Sequence, residues 1–286
     1  MYKLALGTAQ FGMSYGIANT SGQVSRDEAK AILELASVNG IDTIDTAIAY
    51  GESEACLGDV GVENFRVATK LPPLPDGVTT IEEWIEGEVE ASLKRLRLDS
   101  LYVLLLHRSV QFGIPAVRTA LERLKQGGKV QKIGVSIYSP DDLDAIPVVG
   151  ALDIVQAPLN LVDRRLVTGG WLDRLHGDGI EIHTRSAFLQ GLLVMPRSSI
   201  PDRFARWGGL WDAWHAWLSA NSLSPIHACL AYALSFPQVD RVVVGVETAQ
   251  QLSQLIEAAT EPMNIEFPDI ASTEEQLINP SLWSSL

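Results

Sequence analysis

Cysteine and basic residues are scarce in this chain of 286 residues. The two cysteines, Cys56 and Cys229, stand far apart and outside any metal-ligand spacing, so the sequence predicts neither a disulfide framework nor a metal site. The 22 Lys and Arg residues are outnumbered by 35 Asp and Glu residues, which gives a net charge of −13. Because such a chain repels nucleic acid and anionic membranes at long range, we expect neither as a partner. An anionic ligand would have to be held by local donors.

Long apolar runs and a glycine-rich dinucleotide motif are also missing. No apolar run is long enough to span a membrane, and the opening stretch MYKLALGTAQFG has too short an apolar run for a signal peptide. We therefore expect a cytoplasmic protein. No G-x-G-x-x-G lies between a predicted strand and a helix, so the sequence does not support a Rossmann site.

Short apolar runs alternate with helical patterns along the chain. The runs are mostly rich in Val, Ile and Leu without clean alternation, as expected for parallel strands covered on both faces. Ser25 with Glu28, and Thr248 with Gln251, have the spacing of capping boxes at helix starts. Eight strands are predicted: Leu4–Gly7, Ile41–Asp45, Arg66–Lys70, Tyr102–Leu106, Lys132–Ser136, Asp153–Gln156, Ile180–Arg185 and Arg241–Val244.

This alternation, without a linker or low-complexity segment, predicts an α/β fold. We expect one domain over residues 1–286, a single (β/α)8 TIM barrel, with an open doubly wound sheet as the alternative. Active sites of TIM barrels lie at the C-terminal ends of the strands, so polar residues there are the candidates for chemistry.

Four such residues follow three consecutive predicted strands. Asp45 and Tyr50 follow the second, Lys70 ends the third and His107 follows the fourth. Each alone has a structural explanation, as a cap, a solvated strand end or a buried histidine. Together they suit carbonyl reduction, in which a tyrosine protonates the carbonyl oxygen once its pKa is lowered from about 10. Lys70 would stabilise the phenolate, Asp45 would fix Lys70, and His107 would orient the carbonyl.

The sequence resembles the aldo-keto reductase family over nearly its whole length. The resemblance implies a (β/α)8 barrel, a nicotinamide cofactor bound without a Rossmann domain, and an Asp–Tyr–Lys–His tetrad that maps onto Asp45, Tyr50, Lys70 and His107. The matching stretches, in the family's order, are GTAQFG, IDTIDTAIAYG, ATK, LLLHR, KIGVS, VQAPLN, TRSAFLQGLL and VVVGVETAQQL.

The resemblance also implies where the cofactor, NADP(H) or NAD(H), would bind. Ser136 and Gln156 would hydrogen-bond the nicotinamide carboxamide, and Asn160 would either support that contact or cap the next turn. Arg185 stands where many family members have an aromatic residue stacked on the ring, and a planar guanidinium can also stack. Ile137 stands where the family often has Asn, so one carboxamide contact is missing. The remaining predicted cofactor residues are Gly7, Thr8, Ser186, Phe188, Gln190, Gly245, Glu247 and Gln251.

The stretch GVETAQQLSQL from Gly245 to Leu255 has no base, whereas NADP-preferring relatives carry Lys or Arg here. Glu247 would repel a 2′-phosphate and could accept a hydrogen bond from a 2′-hydroxyl. The helix start at Thr248 can still receive an anion, or Thr248 and Gln251 only form a capping box. The preference between NADP and NAD stays open, with more tolerance of NAD(H) than is usual for the family.

The surroundings of the site are less defined by the sequence. Residues predicted to shape the substrate pocket are Met13, Tyr15, Arg108 and Phe112, together with the C-terminal tail around Trp283. Trp207, Trp211, Trp214 and Trp217 fall at helical spacing and form either an aromatic substrate wall or a face packed on the barrel or on a neighbouring subunit.

The predicted function is NAD(P)H-dependent reduction of a small aldehyde or ketone to an alcohol. The polar, glycine-rich first loop is compatible with a sugar-like substrate, and an oligomer is compatible with the sequence. One alternative is a Schiff-base lyase with Lys70 as nucleophile. The other is a cofactor-binding regulatory subunit that senses redox state with little turnover.

Overall fold

Eight parallel strands close on themselves as a barrel in the computed structural model, which describes residues 3–19, 21–260 and 265–286. Each strand pairs with its neighbours in chain order, and β1 closes the barrel against β8. The predicted barrel is therefore confirmed, and the open sheet is wrong. The strands are β1 Leu4–Gly7, β2 Thr43–Asp45, β3 Arg66–Leu71, β4 Leu101–Leu106, β5 Val130–Ser136, β6 Ile154–Pro158, β7 Glu181–Arg185 and β8 Arg241–Gly245.

Helices connect the strands and cover the outside of the barrel. Within the described residues, no helix has the length and apolar character needed to cross a membrane. The helices are α1 Ala9–Gly12, α2 Arg26–Val38, α3 Ser53–Val60, α4 Ile81–Leu96, α5 Pro115–Gln126, α6 Asp141–Asp144, α7 Arg165–Thr168, α8 Trp171–Gly177, α9 Gly208–Asn221, α10 Pro225–Leu234, α11 Ala249–Thr260 and α12 Glu275–Ile278. Short 3-10 helices span Ser109–Gly113, Val149–Ala151, Leu189–Val194, Arg197–Ser199, Asp202–Trp207 and Pro280–Ser285.

The first long helix, α2, shows how the local sequence produces these elements. The Ser25 hydroxyl accepts a hydrogen bond from the Glu28 amide and so starts the helix. Apolar residues at i, i+3 and i+4 spacing then form one buried face against the barrel. Gly40, at φ +74°, turns the chain towards β2 in a conformation that costs glycine little. The buried residues of that face are Ala29, Ile32, Leu33 and Ala36.

Side chains alternate between the inside of the barrel and the helix layer. Ala68, Val103, Leu105 and Ile154 form a small fully buried cluster separate from the main core, as expected for the interior of an eight-stranded barrel. Because side chains alternate along a strand, the residue two positions further on in each of these strands also points inward. At the carboxyl ends of these strands, the inward-pointing positions carry polar residues. The same alternation that fills the barrel interior therefore also places polar side chains at the mouth of the barrel.

A charged cluster closes the opposite, N-terminal end of the barrel. The Glu181 carboxylate accepts hydrogen bonds from Tyr102 Oη at 2.7 Å, from Lys132 Nζ, and from His183 Nε2 at 2.6 Å. Burial alone would raise the pKa of Glu181, but the hydrogen bonds from His183 and Lys132 outweigh it and hold this pKa at about 2. Glu181 therefore stays ionised and joins β4, β5 and β7 at the barrel floor.

We predict that Glu181→Gln lowers the free energy of unfolding by about 1–3 kcal/mol at pH 7, because three donors lose a charged acceptor. The folded-state pKa of about 2 lies below the ordinary value of 4.5. The contribution of the carboxylate is thus fully present above pH 4.5 and is lost as the pH falls towards 2. Urea unfolding at pH 7 and pH 3 should show that the difference in unfolding free energy between wild type and variant is smaller at pH 3. A stability difference of equal size at both pH values would contradict the role assigned to the Glu181 carboxylate. Glu83→Gln, at an exposed position, is the matched control.

Candidate active site

A cavity of about 640 Å³ lies at the carboxyl ends of the strands, where barrel enzymes have their active sites. Asp45, Tyr50 and His107 of the predicted tetrad line its wall. Lys70 lies directly behind them, with 1% of its surface exposed. Three consecutive strand ends, those of β2, β3 and β4, thus bring the four residues together.

Strand parity explains why these side chains meet. Lys70 and Gln156 each follow an interior residue, Ala68 and Ile154, by two positions in the same strand. His107 follows Leu105 in the same way. Since alternate side chains share a face, all three project into the barrel mouth rather than into the helix layer.

A buried ion pair forms the floor of the cavity. Lys70 Nζ donates to Asp45 Oδ2 at 2.6 Å and to the Thr46 carbonyl at 2.8 Å. Gln156 Nε2 donates to the other carboxylate oxygen of Asp45 at 2.6 Å, and Ser136 Oγ donates to Gln156 Oε1 at 3.1 Å. Burial lowers the pKa of Lys70, and the Asp45 carboxylate opposes that shift. Hydrogen bonds from β3, β5 and β6 thus fix both charges in place.

Tyr50 lies between this ion pair and the imidazole of His107. Lys70 Nζ is 5.0 Å from the centre of the Tyr50 ring, and the His107 ring is edge-on at 5.9 Å between centroids. Burial raises the pKa of Tyr50, the Asp45 carboxylate raises it further, and Arg185 opposes both. The expectation of a lowered pKa is therefore wrong for this state, because burial of the phenol and the nearby Asp45 carboxylate both disfavour the phenolate. The phenol is protonated at neutral pH, as a proton donor requires.

His107 is neutral in this environment. Burial lowers its pKa to about 4, and the nearby Lys70 ammonium acts in the same direction. At neutral pH the imidazole therefore has one N–H donor and one acceptor nitrogen. It can donate a hydrogen bond without adding a second charge beside Lys70.

Eleven residues predicted to bind the cofactor lie on the wall of this cavity. Ser136 and Gln156 hydrogen-bond each other, and the amide of Gln156 is also held by Asp45. Asn160 does not line the cavity: its Oδ1 accepts from the Val162 and Asp163 amides, which supports the turn-capping interpretation. The residues on the wall are Gly7, Thr8, Ser136, Gln156, Arg185, Ser186, Phe188, Gln190, Gly245, Glu247 and Gln251.

Arg185 and Tyr138 form a pair, of which the sequence predicted only Arg185 as a site residue. The guanidinium lies 4.9 Å from the centre of the Tyr138 ring and donates to the Ile137 carbonyl at 2.9 Å. Tyr138 also lines the cavity. It stands two positions after Ser136, with the same strand parity, and this signal would have identified it. Gln10, Asn19 and Gln254 are further wall residues that the sequence did not single out.

The wall segment after β7 is held in an unfavourable backbone conformation. Ser186, Leu189 and Gln190 have φ values of +64°, +47° and +52°, a region that costs non-glycine residues of order 1 kcal/mol each. Gln190 Nε2 donates to Tyr15 Oη at 2.9 Å, which joins this segment to the first loop across the cavity. Such strain persists only where surrounding contacts enforce it, and it is typical of ligand sites.

Most of the predicted substrate-pocket residues lie elsewhere. Tyr15 is on the wall, but Met13, Arg108 and Phe112 are not. Phe112 is 1% exposed and packs in the core, because the 3-10 helix Ser109–Gly113 turns it away from the cavity, whereas Arg108 is exposed to solvent. Trp283 is also buried, edge-on to Phe204 at 4.9 Å, and its neighbours Pro280 and Ser281 line the cavity instead.

The four tryptophans at helical spacing pack on the barrel. Trp211 and Trp214 are fully buried, and their indole nitrogens donate to the carbonyls of Phe204 and Leu193, each at 3.0 Å. None of the four is among the cavity-wall residues that the structure describes. The packed-face interpretation therefore holds, and the aromatic substrate wall is wrong.

Comparisons with known proteins agree with this geometry. The model of the aldo/keto reductase family matches residues 3–272. An uncharacterized oxidoreductase of Bacillus subtilis, YqkF, is 28% identical over 91% of this chain and 91% of its own length. L-galactose dehydrogenase of Arabidopsis thaliana is 26% identical over 90% of this chain and 86% of its own.

A third relative, NADH-specific methylglyoxal reductase of Escherichia coli, is 26% identical over 82% of each chain. Among solved structures, the holo form of the aldo-keto reductase AKR11C1 from Bacillus halodurans superposes with a TM-score of 0.72. It covers 92% of this chain and 88% of its own at 20% identity, which supports the fold alone. With a family match over nearly its whole length, the chain belongs to the aldo/keto reductase family of oxidoreductases.

Proposed function

We propose that this protein reduces an aldehyde or ketone to an alcohol with NAD(P)H, and that Tyr50 is the proton donor. The observation that carries the proposal is the meeting of Tyr50 and His107 on one cavity, directly in front of the buried Lys70–Asp45 pair. A protonated phenol, a neutral imidazole and a fixed ammonium are the groups that protonation of a carbonyl oxygen needs.

The cavity fits a nicotinamide dinucleotide. Its volume of about 640 Å³ lies within the usual range of ligand sites, about 300–1,000 Å³. Ser136 and Gln156 offer hydroxyl and amide partners beside Tyr50. A side chain at Gly245 would meet the Gln10 amide at 2.7 Å, so glycine keeps the wall open over β8. When bound, the reduced nicotinamide supplies the hydride for the carbonyl carbon.

The residues of the site then act on the carbonyl oxygen. Tyr50 Oη donates its proton as negative charge develops on that oxygen. The phenolate that forms faces the Lys70 ammonium, which Asp45 and Thr46 hold in position. The N–H of neutral His107 hydrogen-bonds the carbonyl oxygen and orients it, a contact that strengthens as charge develops.

The Schiff-base alternative has no support in this geometry. A nucleophilic Lys70 would have to reach the substrate, but its amine is 1% exposed and donates to Asp45 and Thr46. Relatives named for sugar substrates, such as L-galactose dehydrogenase and D-threo-aldose 1-dehydrogenase, support a hydroxylated substrate. The polar wall residues Asn19 and Gln190 offer partners for such hydroxyl groups.

The proposal is tested by cofactor oxidation at 340 nm against a panel of aldehydes, ketones and open-chain sugars. We expect turnover of at least one carbonyl, and a loss of at least about 100-fold in kcat for Tyr50→Phe, because the proton donor is gone. Cofactor affinity, measured by fluorescence, should change little. The exposed Val148→Ala is the control. Full activity of Tyr50→Phe would contradict the assignment of the acid.

The pH profile tests the state of His107. Because its pKa is lowered to about 4, the imidazole is neutral from pH 8 down to about pH 5. We expect kcat/KM to show no limb that depends on His107 within that range, and to fall only as the pH approaches 4. His107→Gln, which keeps an N–H donor but does not titrate, should remove the acidic limb. A limb near pH 6.5 that disappears in His107→Gln would contradict the lowered pKa.

The Lys70–Asp45 pair is tested by a double-mutant cycle. Lys70→Met and Asp45→Asn should each lower the free energy of unfolding by about 3–5 kcal/mol, because each leaves a buried charge without its counter-charge. Asp45→Asn with Lys70→Met removes both charges and should recover part of that stability. None of these variants, the double variant included, should have the kcat of the wild type. Urea unfolding gives the stabilities, and single variants as stable as wild type would contradict a buried, coupled pair.

A further inference from the structure

We infer that the cavity selects NAD(H) over NADP(H), because the Glu247 carboxylate lies on its outer wall and the Glu28 carboxylate lies at the adjoining start of α11, where a 2′-phosphate would enter. This inference rests on the proposed function, since it takes the nicotinamide ring to lie beside Tyr50. It concerns the other half of the dinucleotide, for which the structure offers an independent set of contacts.

The cavity extends from the strand ends outward over β8. Asp45 and Gln156 line it inside the barrel mouth, whereas Glu247 lies in the loop after β8, and Gln251 and Gln254 lie on α11 outside the barrel. A dinucleotide with its nicotinamide beside Tyr50 has its adenosine half at this outer end. The groups around α11 therefore decide whether the adenosine ribose can carry a phosphate.

Among the residues that the structure describes, the wall at the outer end has no lysine or arginine to pair with a phosphate. Of the cavity-wall residues that the structure describes, Arg185 alone is Lys or Arg. Its guanidinium is held at the inner end by the Ile137 carbonyl and the Ser186 hydroxyl. A phosphate dianion needs charged donors or free backbone amides for stable binding.

Two amides in the first turn of α11, those of Ala249 and Gln251, are already occupied. Ala249 N donates to Glu28 Oε1 at 2.6 Å, so a carboxylate from α2 lies where an anion would meet the helix. Gln251 N donates to Thr248 Oγ1 at 3.1 Å, and Glu247 N donates to Gln251 Oε1 at 2.7 Å. Thr248 and Gln251 thus cap the helix themselves, as the capping-box alternative predicted. The Glu28 carboxylate bound at this helix start repels a further anion.

An adenosine ribose without the 2′-phosphate is favoured at this end of the cavity. Glu247 is a partly buried carboxylate on the wall, and carboxylates accept hydrogen bonds from hydroxyl groups. The same group attracts a 2′-hydroxyl and repels a 2′-phosphate. Discrimination of this kind combines a favourable contact with a repulsive one, and it needs no change elsewhere in the cavity.

The test measures binding rather than turnover. Dissociation constants of NADH and NADPH are determined by fluorescence titration of the wild-type protein at 0.15 M salt. We expect NADH to bind at least about tenfold tighter. Glu28→Gln and Glu247→Gln should each tighten NADPH binding severalfold. Glu28→Gln should leave NADH binding within about twofold, whereas Glu247→Gln should also weaken NADH binding, because the 2′-hydroxyl loses its charged acceptor. Glu247→Gln carries the test alone if Glu28→Gln does not fold. Glu257→Gln, exposed on the same helix, changes net charge equally and should leave the ratio unchanged.

Each outcome decides a different point. Equal or tighter binding of NADPH by the wild type overturns the inference and leaves the proposed reduction intact. An NADH preference that neither carboxylate variant reduces overturns the assignment to Glu28 and Glu247. Binding of neither cofactor overturns the proposed function together with the inference.

Discussion

The ion pair between Lys70 and Asp45 is the interaction on which the site depends. Removing both charges from water costs of order several kcal/mol per ion, and the barrel offsets this with the Thr46 carbonyl and the Gln156 amide. These partners come from the ends of different strands, so they meet only when the barrel has closed. The fold thereby produces a fixed cation behind Tyr50 that solvent does not reach. That cation stabilises the phenolate only when the phenol has given up its proton.

The sign of the charge on the cavity wall differs between its inner and outer ends, although the chain as a whole has a net charge of −13. Lys70 and Asp45 form an ion pair at the inner end, so Arg185 gives that end a net positive charge, and Glu247 makes the outer end negative. In the proposed function this arrangement stabilises developing charge at one end of the ligand, and in the inferred selectivity it rejects an extra phosphate at the other end. Both effects are local, because a Debye length of about 8 Å screens the rest of the surface.

The barrel and the residues around its mouth were predictable because strand position and parity are local properties of the sequence. Each predicted strand lies within two residues of the observed one, and the strand ends gave Asp45, Lys70 and Gln156. Contacts between distant segments were not predictable. Glu28 reaches the Ala249 amide across 221 positions of the chain. The direction of the Tyr50 pKa was also missed, because it depends on how deeply the folded chain buries the phenol and how close it brings the Asp45 carboxylate. The prediction that Phe112 lines the pocket was wrong, because an aromatic residue after a strand can pack in the core as well as line a pocket.

The fate of hydrogen in the product tests the central claim most directly. The account holds that this cavity delivers hydride to the carbonyl carbon while Tyr50 supplies a solvent-exchangeable proton to the oxygen. Reduced cofactor with deuterium at both C4 positions of the nicotinamide is incubated in ordinary water with the best carbonyl of the panel, and the alcohol is analysed by mass spectrometry. The account predicts one deuterium on the former carbonyl carbon. Product without deuterium on that carbon would contradict it.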